Sequence, residues 1–123
     1  MASLLVVSGP NEGDYYPLGK RTTVLGRDEG VPIQITDELV SRKHVQIRFD
    51  AGDESFHAID MKSANGTLIN GRTIGADVTL VDGDIIEIGK SKVMFSTQNF
   101  EDRESAMANY HKRGERGKST LIR

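Results

Sequence analysis

Ser41-Arg42-Lys43-His44 is the stretch that decides the reading, because it runs directly into Val45-Gln46-Ile47-Arg48-Phe49. His44, Gln46 and Arg48 alternate with Val45, Ile47 and Phe49, the period of a half-buried β-strand. A hydroxyl, two cations and an imidazole therefore sit on the turn that enters a strand. Outward from it, two other turns carry polar groups of the same kind. Gly26-Arg27 closes the apolar run Thr22-Thr23-Val24-Leu25, and Asn65-Gly66-Thr67 follows the alternating segment 55–60. Brought together at one end of a sheet, these turns offer a guanidinium fork, a serine hydroxyl, a second cation and an amide. That set suits a phosphate carried on an extended peptide.

The rest of the chain repeats the pattern of short strand and tight turn. Residues 3–8 form an apolar run closed by Gly9-Pro10-Asn11-Glu12-Gly13, with 14–18 as its hairpin partner. Pro17 lacks an N–H and puts that partner at a sheet edge. Residues 31–35 read as a strand, and Asp37-Glu38 as one helical turn before Ser41. Asn65-Gly66 and Asn70-Gly71 both carry the hairpin dipeptide, since both residues tolerate positive φ. Ile85–Ile88 and Lys92–Phe95 read as a closing hairpin. The sum is an all-β antiparallel sandwich of about eleven short strands.

Composition agrees with this reading. A chain of 123 residues suits one domain with a tail, and 13 glycines with only 3 prolines fit many tight turns. With no cysteine, disulfides and thiolate metal sites are excluded, and a reducing, cytoplasmic setting fits. No apolar run approaches the roughly 20 residues of a membrane span, and no signal peptide is recognisable. Residues 98–123 hold six Lys or Arg and four Asp or Glu, which leaves ten cations against fourteen acids in the body. An acidic body argues against nucleic acid, which needs a broad basic face. It does not argue against a single phosphate.

From Asn99 the composition changes, and the domain is placed at 1–98 with a basic tail or linker over 99–123. Residues 101–113 favour a helix with a thin apolar stripe through Met107 and Tyr110; 114–123 read as flexible. Cations precede Thr120, so a kinase site there would let the tail fold back on Arg27 and Ser41 of its own chain or a neighbour. The enzyme reading is thin: no triad is evident in sequence, and Gly114–Ser119 falls short of P-loop spacing. His44, His57 and His111 show no metal-ligand spacing, and no cofactor is implied.

Gly26-Arg27, Ser41-Arg42-Lys43-His44 and Asn65-Gly66-Thr67, in this order, resemble the forkhead-associated (FHA) domain over about residues 3–97. Asn70-Gly71 and Gly83-Asp84 extend the likeness. The resemblance implies a sandwich of two twisted sheets whose end loops bind phosphothreonine peptides without catalysis. It implies phosphate ligation by Arg27 and Ser41, a further contact from Arg42, and a grip on the peptide backbone by Asn65. Gly26, His44 and Gly66 would be the loop scaffold. Leu39 and the loop holding Lys90 and Ser91 would set preference around the phosphothreonine. Where the family often has a threonine or serine before the Asn-Gly, this chain has Ala64, so one phosphate contact is lost. The competing expectation is a phosphate-independent interaction domain, including the N-terminal regulatory part of a longer signalling protein.

Overall fold

The computed structural model describes residues 2–97 and 107–108. Eleven strands run in order: β1 (Ser3–Ser8), β2 (Tyr15–Pro17), β3 (Thr23–Gly26), β4 (Ile33–Gln34), β5 (Val45–Asp50), β6 (Ser55–Asp60), β7 (Thr67–Ile69), β8 (Arg72–Thr73), β9 (Val78–Thr79), β10 (Ile85–Ile88) and β11 (Ser91–Ser96). They form two sheets, a six-stranded one ordered β2-β1-β11-β10-β7-β8 and a five-stranded one ordered β4-β3-β5-β6-β9. Alternation places one face of each strand inward, so Leu4, Val6, Ile86, Ile88, Val93 and Phe95 of the first sheet meet Leu25, Val45, Ile47 and Ala58 of the second. Each such side chain, fully removed from water, contributes about 1.5–3 kcal/mol. Phe56 links the sheets, its ring centroid 5.7 Å from that of Phe95.

Three expectations are corrected. The β3–β4 pair is parallel, whereas the other pairings are antiparallel. The chain leaves β3 at the Gly26 turn and doubles back only after Val31-Pro32, so β4 re-enters in the same direction; Pro32 shortens it to two residues. Asp37-Glu38 is not a helical turn but a single hydrogen-bonded turn, Val40 N–H to Asp37 carbonyl at 3.0 Å. Asn65-Gly66 is not a hairpin. Only Gly66 has positive φ, at 81°, and the segment crosses from β6 in one sheet to β7 in the other. Asn70-Gly71 does form the hairpin: both residues have positive φ, 51° and 83°, between β7 and β8.

Pro17 lies in the edge strand β2, as its missing donor requires. The outer face of the six-stranded sheet carries a second apolar cluster, Leu5, Val7 and Met94, against which Tyr15, Ile85 and Met107 pack. Met107 belongs to the segment expected to be a tail. Apart from Met107 and Ala108, that segment, with Thr120, lies outside the described residues.

Candidate functional site

The turns at one end of the sandwich meet because Gly26 allows them to. A Cβ at Gly26 would lie 1.9 Å from the Arg42 carbonyl oxygen. Glycine is thus the only residue that lets the β3 end touch the 41–43 backbone. Across this contact Arg27 N–H donates to the Ser41 carbonyl at 3.0 Å, and His44 N–H to the Leu25 carbonyl at 2.9 Å.

His44 is wholly buried and ties all three turns together. Its Nδ1 accepts from Ser41 N–H at 2.9 Å, so the ring proton belongs to Nε2, which donates to the Gly66 carbonyl at 2.7 Å. Gly26, His44 and Gly66 thus meet where the three turns touch.

Three consecutive residues, Leu39, Val40 and Ser41, are each held by a site group. Arg27 Nε donates to the Val40 carbonyl at 3.0 Å, fixing the guanidinium while its two terminal nitrogens remain for an anion. Ser41 Oγ accepts from Ala64 N–H at 2.9 Å, which leaves the hydroxyl proton to donate outward. Asn65 Nδ2 donates to the Leu39 carbonyl at 2.9 Å, which leaves one amide proton and a carbonyl oxygen suited to a peptide main chain. Arg42 is exposed on the same turn, as is Lys43.

Two carboxylates missed in the sequence hold these loops from beneath. Asp60 accepts from Ser63 Oγ at 2.5 Å, Ser63 N–H at 3.0 Å and Thr67 Oγ1 at 2.7 Å. Ser63 Oγ in turn accepts from Gly66 N–H at 3.0 Å. Ser63 is thereby committed inward and does not replace the hydroxyl absent at Ala64. Asp37 accepts from Leu39 N–H, Lys90 N–H and Ser91 Oγ at 2.7–2.9 Å. In both carboxyls burial pushes the pKa up. The bonds from Leu39, Ser91 and Lys90 outweigh it at Asp37, and those from Ser63 and Thr67 at Asp60, so both lie below the ordinary carboxylate value. The only sequence signals were an Asp two residues before Leu39 and one three before Ser63, a spacing shared with many plain turns.

The expected specificity residues separate. Leu39, 43% exposed, and Lys90 line a groove of about 310 Å³ with Pro10, Thr36, Asp37 and Glu38. Ser91 does not line that groove: it is fully buried, and its hydroxyl donates to Asp37. Its position at the start of β11, facing the Asp37 loop, turns it inward.

At the far end of β5, Ser55 Oγ lies 2.8 Å from His57 Nε2, and Asp77 Oδ1 lies 2.6 Å from His57 Nδ1. The order resembles a hydrolytic triad, but the Ser55 hydroxyl donates to Asp53 Oδ1 at 2.5 Å. The imidazole is left facing an oxygen lone pair with no serine proton to take. Asp50, Asp53 and His57 also lie close enough to share a cation, a grouping made by the β5–β6 turn rather than by any sequence motif. No described helix is long and apolar enough to cross a membrane.

A two-sheet β-sandwich with an arginine, a serine and an asparagine gathered around one loop end is the class of domain that the fold and the site define. The FHA domain family model matches residues 23–89, more than half of the chain, and the chain belongs to that family. It is 38% identical over 96 residues to the glycogen accumulation regulator GarA of Mycolicibacterium smegmatis, covering 78% of this chain and 59% of that protein. It is 38% identical over 94 residues to the oxoglutarate dehydrogenase inhibitor of Corynebacterium glutamicum, covering 76% of this chain and 64% of that one. The chain thus spans about three fifths of the length of these curated relatives. Among solved structures, an FHA domain described for its phosphothreonine-dependent interactions superposes with a TM-score of 0.71 at 28% identity, over 80% of this chain and 98% of that one.

Proposed function

We propose that this domain binds phosphothreonine peptides and so recruits phosphorylated partner proteins in Ser/Thr kinase signalling. The observation that carries the reading is the gripping of Leu39, Val40 and Ser41 by Asn65, Arg27 and the Ala64 N–H. It presents guanidinium donors, a hydroxyl proton and a free amide edge from one rigid loop end, with Arg42 exposed beside them. In this reading Arg27, Ser41 and Arg42 hold the phosphate and Asn65 holds the peptide backbone. Leu39 and Lys90 face the residues that flank the phosphothreonine. In this reading the recognition unit is residues 1–98 and residues 99–123 are a basic tail or linker, of which Met107 packs against Leu5, Val7 and Met94.

Bonds to a charged group contribute about 1.5–3 kcal/mol each. Three of them, less the cost of ordering an extended peptide, reach the ~8 kcal/mol of micromolar binding only with contacts beyond the phosphate. Bare phosphate therefore binds weakly, and the groove beside Leu39 matters. Relatives named as a regulator and as an enzyme inhibitor support a domain that acts by holding partner proteins, without catalysis of its own.

Titration with an oriented phosphothreonine peptide library tests this, with the unphosphorylated library and the Arg27→Ala and Ser41→Ala proteins as controls. The expected result is micromolar binding that needs the phosphate and weakens at least about tenfold in Arg27→Ala. Equal binding with and without phosphate would refute it.

A further inference from the structure

We propose that the β1–β2 turn, residues 9–13, is a wall of the peptide site, and that Asn11 is the positioning residue of its distal half. The inference rests on the phosphopeptide reading above. The turn lies outside residues 23–89 matched by the family model, and neither the loop motifs nor the phosphate geometry involves it.

Three independent observations place it there. Pro10 lines the groove together with Leu39 and Lys90. Asn11 Oδ1 accepts twice from Thr36, from its N–H at 2.8 Å and from its Oγ1 at 3.1 Å. Gly9, with φ of 109°, lies so close to β11 that a Cβ would come within 2.5 Å of Ser91 Oγ, the hydroxyl that holds Asp37.

The start of the 36–40 loop is therefore pinned from two sides, while Asn65 and Arg27 hold its far end at Leu39 and Val40. Asp37 pins it from the interior through Leu39, Lys90 and Ser91. Asn11 pins it from the outside through Thr36. The turn that carries Asn11 is itself fixed, by Glu12 N–H to the Gly9 carbonyl at 3.1 Å, Gly13 N–H to the Val6 carbonyl at 2.7 Å and Asp14 N–H to the Asn11 carbonyl at 3.1 Å. Arg27, Ser41 and Asn65 make none of these bonds. Asn11 thus controls the groove's shape without touching the phosphate ligands. The exposed apolar surfaces of Pro10 and Leu39 face a space the size of one or two side chains, so the groove takes an aliphatic residue of the bound peptide.

The test is the oriented phosphothreonine library applied to wild type, Asn11→Ala, Asn11→Asp and Thr36→Val, with urea midpoints for each. Wild type is expected to enrich an aliphatic residue at one flanking position. Asn11→Ala and Thr36→Val are expected to flatten that enrichment and weaken the best peptide, about tenfold in Asn11→Ala, while the ratio of phosphorylated to unphosphorylated binding stays as in wild type. Asn11→Asp keeps an acceptor oxygen for both Thr36 donors and is expected to restore the profile, which a general loss of packing would not do. Thr36→Val leaves the turn untouched, so an unfolded Asn11→Ala protein would not spoil the test. Phosphate-dependent binding with an unaltered profile in Asn11→Ala or in Thr36→Val overturns this inference alone. Absence of phosphate-dependent binding in wild type overturns the functional reading and this inference with it.

Discussion

Replacing Gly26 by alanine tests the idea that the phosphate loops are held by backbone contact. The new Cβ would sit 1.9 Å from the Arg42 carbonyl oxygen, 2.7 Å from its carbon and 3.1 Å from Lys43 Cα. All three are backbone atoms, so no change of rotamer relieves the overlap. Restoring ordinary contact at 3.4 Å needs the segments to part by roughly 1.5 Å. That movement carries Arg27 N–H to Ser41 carbonyl, now 3.0 Å, and Asp28 N–H to Arg42 carbonyl, now 3.3 Å, out of hydrogen-bonding range. Two such bonds at about 0.5–1.5 kcal/mol each, with about 1–3 kcal/mol for overpacking, give a loss of roughly 2–6 kcal/mol. A domain with the usual ~5–15 kcal/mol stays largely folded at the lower end of that loss. Urea unfolding with phosphopeptide titration on the same sample reads both effects, and affinity is expected to fall at least about tenfold because Arg27 moves with the strand end. Stability within about 0.5 kcal/mol of wild type, with unchanged affinity, would refute the reasoning.

Gly71→Ala is the contrasting case: nothing lies within 4 Å of the new Cβ, and the cost comes from φ of 83° alone. A loss of about 1–2 kcal/mol by urea midpoint is expected, with peptide affinity unchanged. Ala64→Ser returns a hydroxyl beside Ser41 and is expected to tighten phosphothreonine binding by up to about tenfold in calorimetric titration, with little change in stability. Asp37 and Asp60 bind protons less readily in the folded protein than in the unfolded chain. Their stabilisation is complete above the unfolded value of 3.8 and is lost as pH falls through the lower folded value. Urea midpoints should therefore drop below about pH 4, and Asp37→Asn and Asp60→Asn should each flatten that drop.

The strands were legible where alternation was long, as in 45–50, and where a run was bounded by glycine or proline, as in Ser3–Ser8. The three polar turns were legible as well, because a guanidinium, a hydroxyl and an amide at strand ends have few uses in an acidic body. What the sequence hid is long-range. Asn65-Gly66 and Asn70-Gly71 are the same dipeptide, yet only the second is a hairpin; the first spans two sheets, which no local signal encodes. Ser91 reads as a loop residue until β11 turns it toward Asp37, 54 positions away. Asn11 and Thr36, 25 positions apart, carry no hint of each other. Short polar side chains have their roles fixed by whichever partner the topology delivers, whereas apolar alternation is fixed by the chain itself.

The pairing of β1 with β11 begins at Ser3↔Ser96 and ends at Ser8↔Lys92, next to Gly9 and the Asp37 network. The two outermost strand ends therefore emerge side by side, about six residues, or roughly 20 Å, from the opposite end of the sandwich. Such a body behaves as a plug with both leads on its back. Spliced into a surface loop of another protein, it would leave its host's chain path nearly closed and its own loops outward. A fluorescent reporter for threonine phosphorylation could be assembled that way, with donor and acceptor on neighbouring leads.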